Sequence, residues 1–530
     1  MNEAGLALMA IEPLPRGDWL AQTESVLIAA NYSVKKRRTA LLVWREQKRF
    51  ANLIFSNASI VRRIWLAPRR WALGVVSKRL YFKKLGSEID RRPEHILLKE
   101  SRLPEHPTAS KVVEQQWRLI QILQKGLRPH TTPVMLQPLG LDLKKARVVK
   151  IGTKSFYSPP ESLNTLYCKY GIDQTPNQFT VSVCPLESVS DHVANKFSVR
   201  LRHVAEQRNT ALKVQITSAV SIIQRLKEIR SSGNAPRDGS CVLFILPSKK
   251  QNLHNETQVL FEKLRDVHVP FRRAYADDPI QYSIPDQFPS LVIASGGHPH
   301  KSPTKVADKL IWTIGIDLSH RPERSFSVIV LTLVNPEGRL VGAWIKTQPR
   351  DETARVKSLK TLLVHCRQEL STCEPKAKVV VLRDGRMFEN ENGDLYGEML
   401  ETDVSLLEFR KYGNPQIFRL DDRQALPSEP IAAVLSGTST MFMTTAPPKN
   451  ENLLASVAKV TWDREWNGLG LEASEIGSIL AASAASPGLG LHSRNLPAAI
   501  YWADGIAGTC SEDLRFIGVP VVNVESSLND

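Results

Sequence analysis

The sequence predicts an α/β protein built from several domains. Its 530 residues exceed the usual size of a single domain, so three or four domains are expected. Between residues 161 and 305, apolar runs typical of strands alternate with stretches of helical spacing, a pattern that indicates a parallel sheet covered by helices. From residue 306 onwards the order becomes strand, hairpin, helix and strand, which indicates a mixed sheet in a second α/β domain.

The composition is that of a globular chain, with 42% hydrophobic and 23% charged residues. No apolar run approaches the roughly 20 residues that a membrane-spanning helix needs, and the first residues lack the basic segment of a secretory signal peptide. The six cysteines form no Cys-x-x-Cys pair, which argues against a zinc site and suits a reducing compartment. We therefore expect a cytoplasmic protein that does not bind membranes.

The net charge of +16 is concentrated near the N-terminus. Residues 35–84 hold fifteen Lys or Arg and a single acid, with aromatic residues between them. Such a surface attracts a polyanion through counterion release, and its rings can stack on bases. A solvated basic face and an anionic membrane surface are the alternatives, but the charge ratio and the lack of a long amphipathic helix favour nucleic acid. The residues expected to contact a nucleic-acid backbone are Arg62, Arg63, Arg69 and Arg70.

Shifts in composition and pattern divide the chain into four segments. Residues 1–110 form a smaller, basic α+β region, and residues 111–160 form a linker that contains a helix and a Pro-rich connector. The parallel α/β domain spans residues 161–305, and the domain with the mixed sheet spans residues 306–530.

The parallel α/β domain is expected to alternate strands with amphipathic helices. Asn255 is a plausible N-cap for the third helix. The strands are predicted at residues 178–186, 240–250 and 290–297, and the helices at residues 193–207, 218–233 and 255–270.

The last domain begins with a strand that continues into a hairpin with Pro and Gly in its turn. A helix follows at residues 353–370, because its apolar positions recur on one face. The apolar run 378–384 then predicts a further strand. This order is the opening of a ribonuclease-H-like fold, in which neighbouring strands present carboxylates at one edge of a mixed sheet.

Asp317 and Asp384 each end an apolar run. An Asp-Gly step is ordinary turn chemistry, so Asp384 alone favours a turn. Two carboxylates at the ends of neighbouring buried strands would repel, and their pKa values would rise unless a cation neutralised them. Hard oxygen ligands suit Mg²⁺ or Mn²⁺, and a pair of such ions can hydrolyse a phosphodiester. That chemistry needs further ligands.

Three segments resemble, in order, the three signature segments of the PIWI domain of Argonaute proteins. They read IGIDLSH (314–320), VVVLRDGR (379–386) and LPAAIYWADGIAG (496–508). A fourth, LVIASGGHPHK (291–301), resembles the Gly-Gly segment that ends the MID domain of the same family. The resemblance covers about residues 160–530, and the three PIWI segments together are specific.

The resemblance implies a Rossmann-like MID domain followed by a ribonuclease-H-like PIWI domain. In that family three carboxylates, or two with a histidine, and a mobile glutamate hold two metal ions. Along the chain, the glutamate of the family's site lies between the first two aspartates. Asp317 and Asp384 match those two aspartates, which are the first and third ligands. Asp504 stands where the family has Asp or His, and it follows Pro497 on a predicted helix. The resemblance therefore implies that the three aspartates are metal ligands.

The glutamate of the site is sought between the first two aspartates. Glu352 matches the family best, because it lies 35 residues after Asp317 and just before the predicted helix. Acids are common near helix N-termini, where they interact favourably with the helix dipole, so Glu352 could have only this stabilising role. Asp351, next to it, could fill the stabilising role instead. The other glutamates in this interval are Glu337, Glu369 and Glu374.

The MID pocket for the 5′ end of a guide strand departs from the family pattern. The usual lysine before Gly-Gly is replaced by Ala294, and His254 is followed four residues later by Gln258 instead of Lys. The pocket could be rebuilt from other basic residues, it could accept a 5′-hydroxyl, or these residues could form only an exposed basic surface. The candidates are Lys249, Lys250, His254, Gln258, Arg272, Arg273 and Lys301.

The first 150 or so residues are too few for the N domain, the PAZ domain and both linkers of a large Argonaute. The resemblance therefore implies a compact, prokaryotic form in which PAZ is absent or reduced.

The resemblance implies a guide-strand-directed endonuclease that cleaves a complementary target with two Mg²⁺ or Mn²⁺ ions, in defence against plasmids or phages. Guide and target could each be DNA or RNA, since discrimination rests on 2′-hydroxyl contacts. A guide-binding protein that does not cut and acts through an operon-encoded partner is one alternative. An unguided ribonuclease-H-like nuclease is the other.

Overall fold

The structure is a computed structural model, and its described residues fall into two compact units. The first unit comprises Met1–Leu143, Leu407–Arg464 and Glu472–Gly477, and the second comprises Lys144–Leu406, Glu465–Leu471 and Ser478–Asp530. The described residues are 5–13, 17–50, 53–67, 70–82, 89–90, 108–127, 131–157, 163–232, 239–248, 254–266, 269–306, 309–320, 325–351, 354–387, 391, 393–421, 424–428, 431–444, 456–484, 496–509 and 521–524.

The helices and strands have the following bounds in chain order. The helices are α1 (Trp19–Ala29), α2 (Ala109–Leu127), α3 (Leu143–Ala146), α4 (Leu163–Tyr170), α5 (Asp191–Gln207), α6 (Ala219–Ser232), α7 (Asn255–Asp266), α8 (Ile280–Ala294), α9 (Val356–Cys373), α10 (Gly393–Leu400), α11 (Ala473–Ser483) and α12 (Ala498–Thr509). The strands of the first part of the chain are β1 (Gly5–Glu12), β2 (Ser33–Arg37), β3 (Ala40–Trp44), β4 (Lys48–Phe50), β5 (Leu53–Ala67), β6 (Arg70–Phe82), β7 (Ile89–Asp90), β8 (Thr132–Pro138), β9 (Val148–Ile151), β10 (Lys154–Tyr157), β11 (Thr180–Pro185), β12 (Lys213–Ile216), β13 (Ser240–Leu246) and β14 (Phe271–Tyr275). The remaining strands are β15 (Lys305–Val306), β16 (Lys309–His320), β17 (Phe326–Val334), β18 (Leu340–Pro349), β19 (Lys378–Asp384), β20 (Val404–Arg410), β21 (Ile417–Asp421), β22 (Gln424–Pro427), β23 (Ala432–Val434), β24 (Thr440–Thr444), β25 (Val457–Asn467) and β26 (Val521–Asn523).

The first unit is built around an antiparallel sheet. Its two longest strands, β5 and β6, form a hairpin, and β1 pairs with β6, β8 and β21. Helix α2 is amphipathic, and its buried Leu119, Ile120 and Leu123 belong to the same core as Val61 and Leu73 of the hairpin. Strands β5 and β6 have 15 and 13 residues, because basic residues interrupt the apolar pattern without interrupting the strands.

The second unit contains a four-stranded parallel sheet in the order β12-β11-β13-β14. The middle strand, β13, is apolar along its length because helices cover both faces of the sheet. One face carries a core with α5 and α8, which includes Phe197 and Phe288, and the other carries a core that includes Ile222 and Leu260 of α6 and α7.

The strand predicted at residues 290–297 is wrong, because residues up to Ala294 belong to α8. Its buried residues Ile284, Phe288, Leu291 and Val292 recur with helical spacing. A short apolar run does not by itself separate a buried strand from a buried helix. The place of the expected strand is taken by β14.

The second unit also contains the predicted mixed sheet. Strands β16, β17 and β18 are antiparallel neighbours, β19 runs parallel to β16, and β26 runs parallel to β18. The turn between β17 and β18 ends at Gly338, whose φ of 83° explains the glycine. Helix α9 packs on the face that carries Ile314 and Ile316.

Helix α12 packs on the opposite face of this sheet. Gly315 points away from Ile314 and Ile316, because successive strand residues alternate between faces. A Cβ atom at Gly315 would lie 2.2 Å from the carbonyl oxygen of Ala499, so α12 touches the strand backbone here.

Strand β16 extends further than predicted. It continues to His320, so Asp317 lies three residues before its end and pairs with Val330 of β17. Burial decreases at this point of the strand, since Ile316 is buried and Asp317 is half-buried.

Candidate metal centre

Three aspartates meet at the edge of the mixed sheet. Asp317 lies on β16, Asp384 ends β19, and Asp504 lies on α12. One carboxylate oxygen from each residue can be chosen so that all three lie within 4.8 Å of one another, and all three residues are half-buried. The parallel register pairs Ile316 with Arg383, which brings the following aspartate of each strand side by side.

Two contacts fix the position of α12 over the sheet. Gly315 leaves room for the backbone of Ala499, and the hydroxyl of Thr332 on β17 donates a hydrogen bond of 2.8 Å to the carbonyl oxygen of Ala499. Asp504 follows five residues later on the same helix, so these contacts determine how closely its carboxylate approaches Asp317.

The three carboxylates fit a divalent cation. Carboxylate groups this close repel one another unless a positive charge lies between them, and oxygen donors are those that Mg²⁺ and Mn²⁺ prefer. One oxygen of Asp317 also accepts a hydrogen bond of 2.8 Å from the backbone N–H of Leu318, which orients that carboxylate.

A buried ion pair lies behind Asp384. Arg383 and Glu391 are 3% and 0% exposed, and Arg383 Nε donates to Glu391 Oε2 at 2.8 Å. Burial is the largest single effect and lowers the pKa of Arg383, but the charge and the hydrogen bond of Glu391, together with the charges of Tyr396 and Asp317, outweigh it, so the pKa of Arg383 is raised. Sequence reasoning missed this pair, although an arginine within a buried strand was a signal that an acid must lie nearby.

The backbone next to Glu352 is held by two buried side chains. Ser327 donates to the carbonyl oxygen of Asp351 and accepts from its N–H, both at 3.1 Å, while Gln348 accepts a hydrogen bond of 2.9 Å from the N–H of Arg355. Glu352 itself lies outside the described residues.

The other glutamates of this interval have identified places. Glu337 lies in the hairpin turn beyond Val334, which pairs with Thr313, four residues before Asp317. Glu369 lies in the last turns of α9, and Glu374 caps the C-terminus of that helix.

The predicted MID-pocket residues are distributed over several parts of the second unit. The backbone N–H of His254 donates to Glu187 Oε1 at 3.0 Å, and Gln258 lies one turn further along α7.

Arg272 and Arg273 are neighbours on β14 and therefore point to opposite faces of the sheet. Arg272 Nε donates to the carbonyl oxygen of Ser290, and the Arg273 guanidinium stacks on Phe261. Lys301 Nζ lies 3.6 Å from Asp173 Oδ2, and Lys249 and Lys250 lie outside the described residues. The structure thus does not bring Arg272 and Arg273 to one side of the sheet.

The arginines predicted to contact nucleic acid have different surroundings. Arg63 is exposed, and its guanidinium carbon lies 3.6 Å from the ring centroid of Trp71. Arg62 is half-buried, and burial, then the charge of Arg410, lowers its pKa. Arg70 forms a 2.5 Å ion pair with Glu12, and Arg69 lies outside the described residues.

Among the described residues, no helix combines the length and apolar character that crossing a membrane requires. No protein-family model matches the sequence, and no curated protein matches it.

Several solved structures are similar to the chain. Clostridium butyricum Argonaute bound to a guide DNA and a 19-mer target DNA has a TM-score of 0.67 at 10% identity, over 94% of this chain and 85% of that chain. Marinitoga piezophila Argonaute in complex with a 5′ OH guide RNA has a TM-score of 0.64 at 12% identity, over 93% and 85%. Aa-Ago with externally bound siRNA has a TM-score of 0.52 at 15% identity, and this chain covers 64% of its length, less than two thirds.

A parallel α/β layer followed by a ribonuclease-H-like sheet is the arrangement found in MID–PIWI structures. The chain has the fold of Argonaute proteins.

Proposed function

We propose that the protein is a guide-strand-directed endonuclease that cleaves a complementary nucleic-acid target. The observation that carries this proposal is the meeting of Asp317, Asp384 and Asp504 on an Argonaute fold. The similar Clostridium butyricum structure holds a guide DNA and a target DNA, and the Marinitoga piezophila structure holds a guide RNA. Defence against plasmids or phages is the biological role that we propose.

The three aspartates would hold Mg²⁺ or Mn²⁺, and Glu352 would supply the fourth protein ligand. Two such ions, when bound, activate a water molecule and stabilise the leaving oxygen of a phosphodiester. The protein itself positions these carboxylates: β16 and β19 place two side by side, and α12 brings the third over them. The hydrogen bonds of Ser327 and Gln348 to the main chain at Asp351 and Arg355 would limit the positions that Glu352 can adopt.

The remaining predicted residues would bind the guide and the target. Arg63, stacked on Trp71, presents a cation beside an aromatic face, which suits a nucleic-acid backbone and an adjacent base. A pocket for the guide 5′ end would lie around the start of α7, near His254 and Gln258. The boundaries proposed for the N-terminal region, linker, MID and PIWI domains are those predicted at residues 110, 160 and 305.

Two measurements on the purified protein test this function. Sequencing of copurifying nucleic acid should find a short strand of uniform length. Single-turnover cleavage of a complementary target should be abolished by Asp317→Ala, Asp384→Ala and Asp504→Ala with guide binding retained, because each change removes a ligand and leaves the basic surface. Asp403→Ala, at an exposed aspartate before β20, is the control and should cut normally. Near wild-type cleavage by any of the three variants would show that its residue is not a ligand, and cleavage without a guide strand would favour an unguided nuclease.

Glu352 needs a separate test. Glu352→Ala should lose cleavage almost as fully as the aspartate variants, and Glu352→Asp should also fail because its carboxylate is displaced by about 1 Å. Glu337→Ala and Glu369→Ala should remain active. If Glu352→Ala cuts normally while Asp351→Ala or Glu374→Ala does not, the fourth ligand has been misassigned. If none of these acids matters, the four-ligand mechanism is wrong.

A further inference from the structure

The ion pair between Arg383 and Glu391 lies directly behind the candidate metal centre. Side chains alternate along β19, so Arg383 points to the face opposite that of Asp384. On that face Arg383 reaches Glu391 and the buried core that contains Tyr396. Arg383 Nη1 also donates a hydrogen bond to the main-chain carbonyl oxygen of Asp384. The ion pair is therefore connected to the backbone of a candidate metal ligand.

Stability alone does not account for this arrangement. Removing two charges from water costs several kcal/mol per ion, and an apolar pair of similar volume often gives equal or greater stability. Hydrogen bonding in and around the pair is also incomplete among the described residues, because Glu391 Oε1 and the hydroxyl of the neighbouring Tyr396 are buried without a hydrogen-bond partner. A buried group of this kind is explained better by what it positions than by what it stabilises.

We propose that Arg383 and Glu391 are positioning residues for the three-aspartate site. Arg383 fixes the main chain at Asp384, and Glu391 neutralises Arg383 so that the three carboxylates keep their full attraction for a divalent cation. This inference rests on the metal centre of the proposed function.

The charges explain why both members of the pair are needed. The fully buried guanidinium of Arg383 lies close enough to Asp317 for their charges to interact. An arginine without Glu391 would offset part of the negative charge of the aspartates, because Coulomb interactions are weakly screened in the protein interior. Removing Arg383 alone would leave Glu391 as a buried, unpaired anion, which destabilises a protein strongly.

Direct Mn²⁺ binding to the full chain tests the inference without any need for cleavage. Free Mn²⁺ is measured by electron paramagnetic resonance during a titration. Glu391→Gln should bind Mn²⁺ about tenfold more weakly, since a unit charge is left uncompensated near the site. Glu401→Gln is the matched control: Glu401 pairs with Arg367 in the same unit, but the two side chains are 68% and 34% exposed. This control should bind Mn²⁺ as the wild type does.

A second variant separates positioning from folding. The double substitution Arg383→Met with Glu391→Leu removes both charges, so its unfolding free energy should stay near that of the wild type. Its Mn²⁺ affinity should still fall several-fold, because the Asp384 carbonyl loses its donor. A purely structural pair would change the unfolding midpoint and leave the Mn²⁺ affinity of the folded protein unchanged. Wild-type affinity in the folded Glu391→Gln variant or in the folded double variant would overturn the proposal.

Asp384→Ala distinguishes failure of this inference from failure of the proposed function. If Asp384→Ala binds as much Mn²⁺ as the wild type, or if neither protein binds Mn²⁺, the metal centre itself is wrong. If Asp384→Ala loses Mn²⁺ and the Arg383 and Glu391 variants retain it, only the positioning role is wrong.

Discussion

Gly315 lies against the backbone of Ala499, so closely that a Cβ atom at Gly315 would come within 2.2 Å of the Ala499 carbonyl oxygen. The same oxygen accepts the hydrogen bond from Thr332. Asp317 lies two residues after Gly315 and Asp504 five residues after Ala499. The glycine therefore sets the separation between the strand and the helix that carry two of the three carboxylates.

Gly315→Ala should push α12 away from the sheet. We expect a loss of about 1–3 kcal/mol in the free energy of unfolding, as is typical of overpacking. The Mn²⁺ affinity of the folded protein should also fall, because Asp504 moves with the helix. Both are measured on the purified chain, by denaturant unfolding and by Mn²⁺ titration.

Gly397→Ala is the matched control for that prediction. Gly397 lies within α10, and an added Cβ atom would meet its nearest neighbour at 3.9 Å, an ordinary contact. This variant should be as stable as the wild type or slightly more stable, because alanine favours helix. Equal Mn²⁺ binding by the two alanine variants would show that the approach of α12 is not limited by Gly315.

Ser327→Ala should affect cleavage more than its cost in stability explains. The Ser327 hydroxyl has one hydrogen, which it donates to the Asp351 carbonyl, so it must accept from both the Asp351 N–H and His320 Nδ1, which lies at 2.8 Å. Its loss removes these hydrogen bonds, and a typical hydrogen bond contributes about 0.5–1.5 kcal/mol to stability. Asp351 directly precedes Glu352, so single-turnover cleavage of bound target should fall.

Ser405→Ala provides the comparison, because Ser405 is equally buried and donates a 2.6 Å hydrogen bond to Asn467 Oδ1. The two variants should be destabilised to a similar degree, but only Ser327→Ala should cut more slowly. A Ser327→Ala protein that cuts at the rate of Ser405→Ala would remove the link between Ser327 and catalysis.

Arg63→Ala should reduce the salt dependence of guide binding. A lost phosphate contact flattens the slope of log affinity against log salt by about 0.7–0.9. Arg70→Ala should change the slope much less, since Arg70 is paired with Glu12. Filter binding at several salt concentrations measures both slopes. Identical slopes for wild type and Arg63→Ala would show that this arginine contacts no phosphate.

Lys459 should make the first unit more stable as the pH rises above neutral. This lysine is 4% exposed, donates a 2.8 Å hydrogen bond to the Trp65 carbonyl oxygen, and lies over the Trp65 ring. Burial lowers the pKa of Lys459 to about 7, with Glu408 opposing that shift and Arg410 adding to it. Between this value and the unfolded pKa of about 10.4, the unfolded chain binds more protons, so the free energy of unfolding rises with pH.

Lys459→Met should lose that rise. The free energy of unfolding of the variant should exceed that of the wild type most near pH 6, where the buried charge of Lys459 is fully present in the wild type. The difference should shrink towards pH 10. Denaturant unfolding at pH 6, 7, 8, 9 and 10 gives the two curves, and Lys111→Met, at an exposed lysine of the same unit, should run parallel to the wild type. Parallel curves for Lys459→Met would mean that Lys459 is charged throughout.

Much of the architecture was visible in the sequence because it follows from apolar periodicity. The runs before Asp317 and Asp384 predicted adjacent strands, whereas the helix of Asp504 was expected from the resemblance of its segment to a PIWI segment. Distances between segments far apart in the chain could not be read in this way, so the role of Gly315 under Ala499 became visible only in three dimensions.

The same limit applies to buried polar contacts and to short apolar runs. The arginine within the buried strand β19 indicated a nearby acid, but the pattern could not identify Glu391, because the pairing depends on how the chain turns after β19. Arg272 and Arg273 were both candidates for the guide pocket, but adjacent strand residues point to opposite faces of the sheet. Residues 290–297 were assigned to a strand because four apolar residues are too few to reveal a helical period.

The site is completed by a helix encoded far downstream of its strands. Asp504 follows Asp384 by 120 residues. At about 5–20 residues per second, a ribosome needs roughly 6–24 seconds to add them. During that interval the nascent chain has two of the three carboxylates and no α12 over Gly315. The chain is therefore synthesised in an order that withholds the complete ligand set until most of the protein has been made.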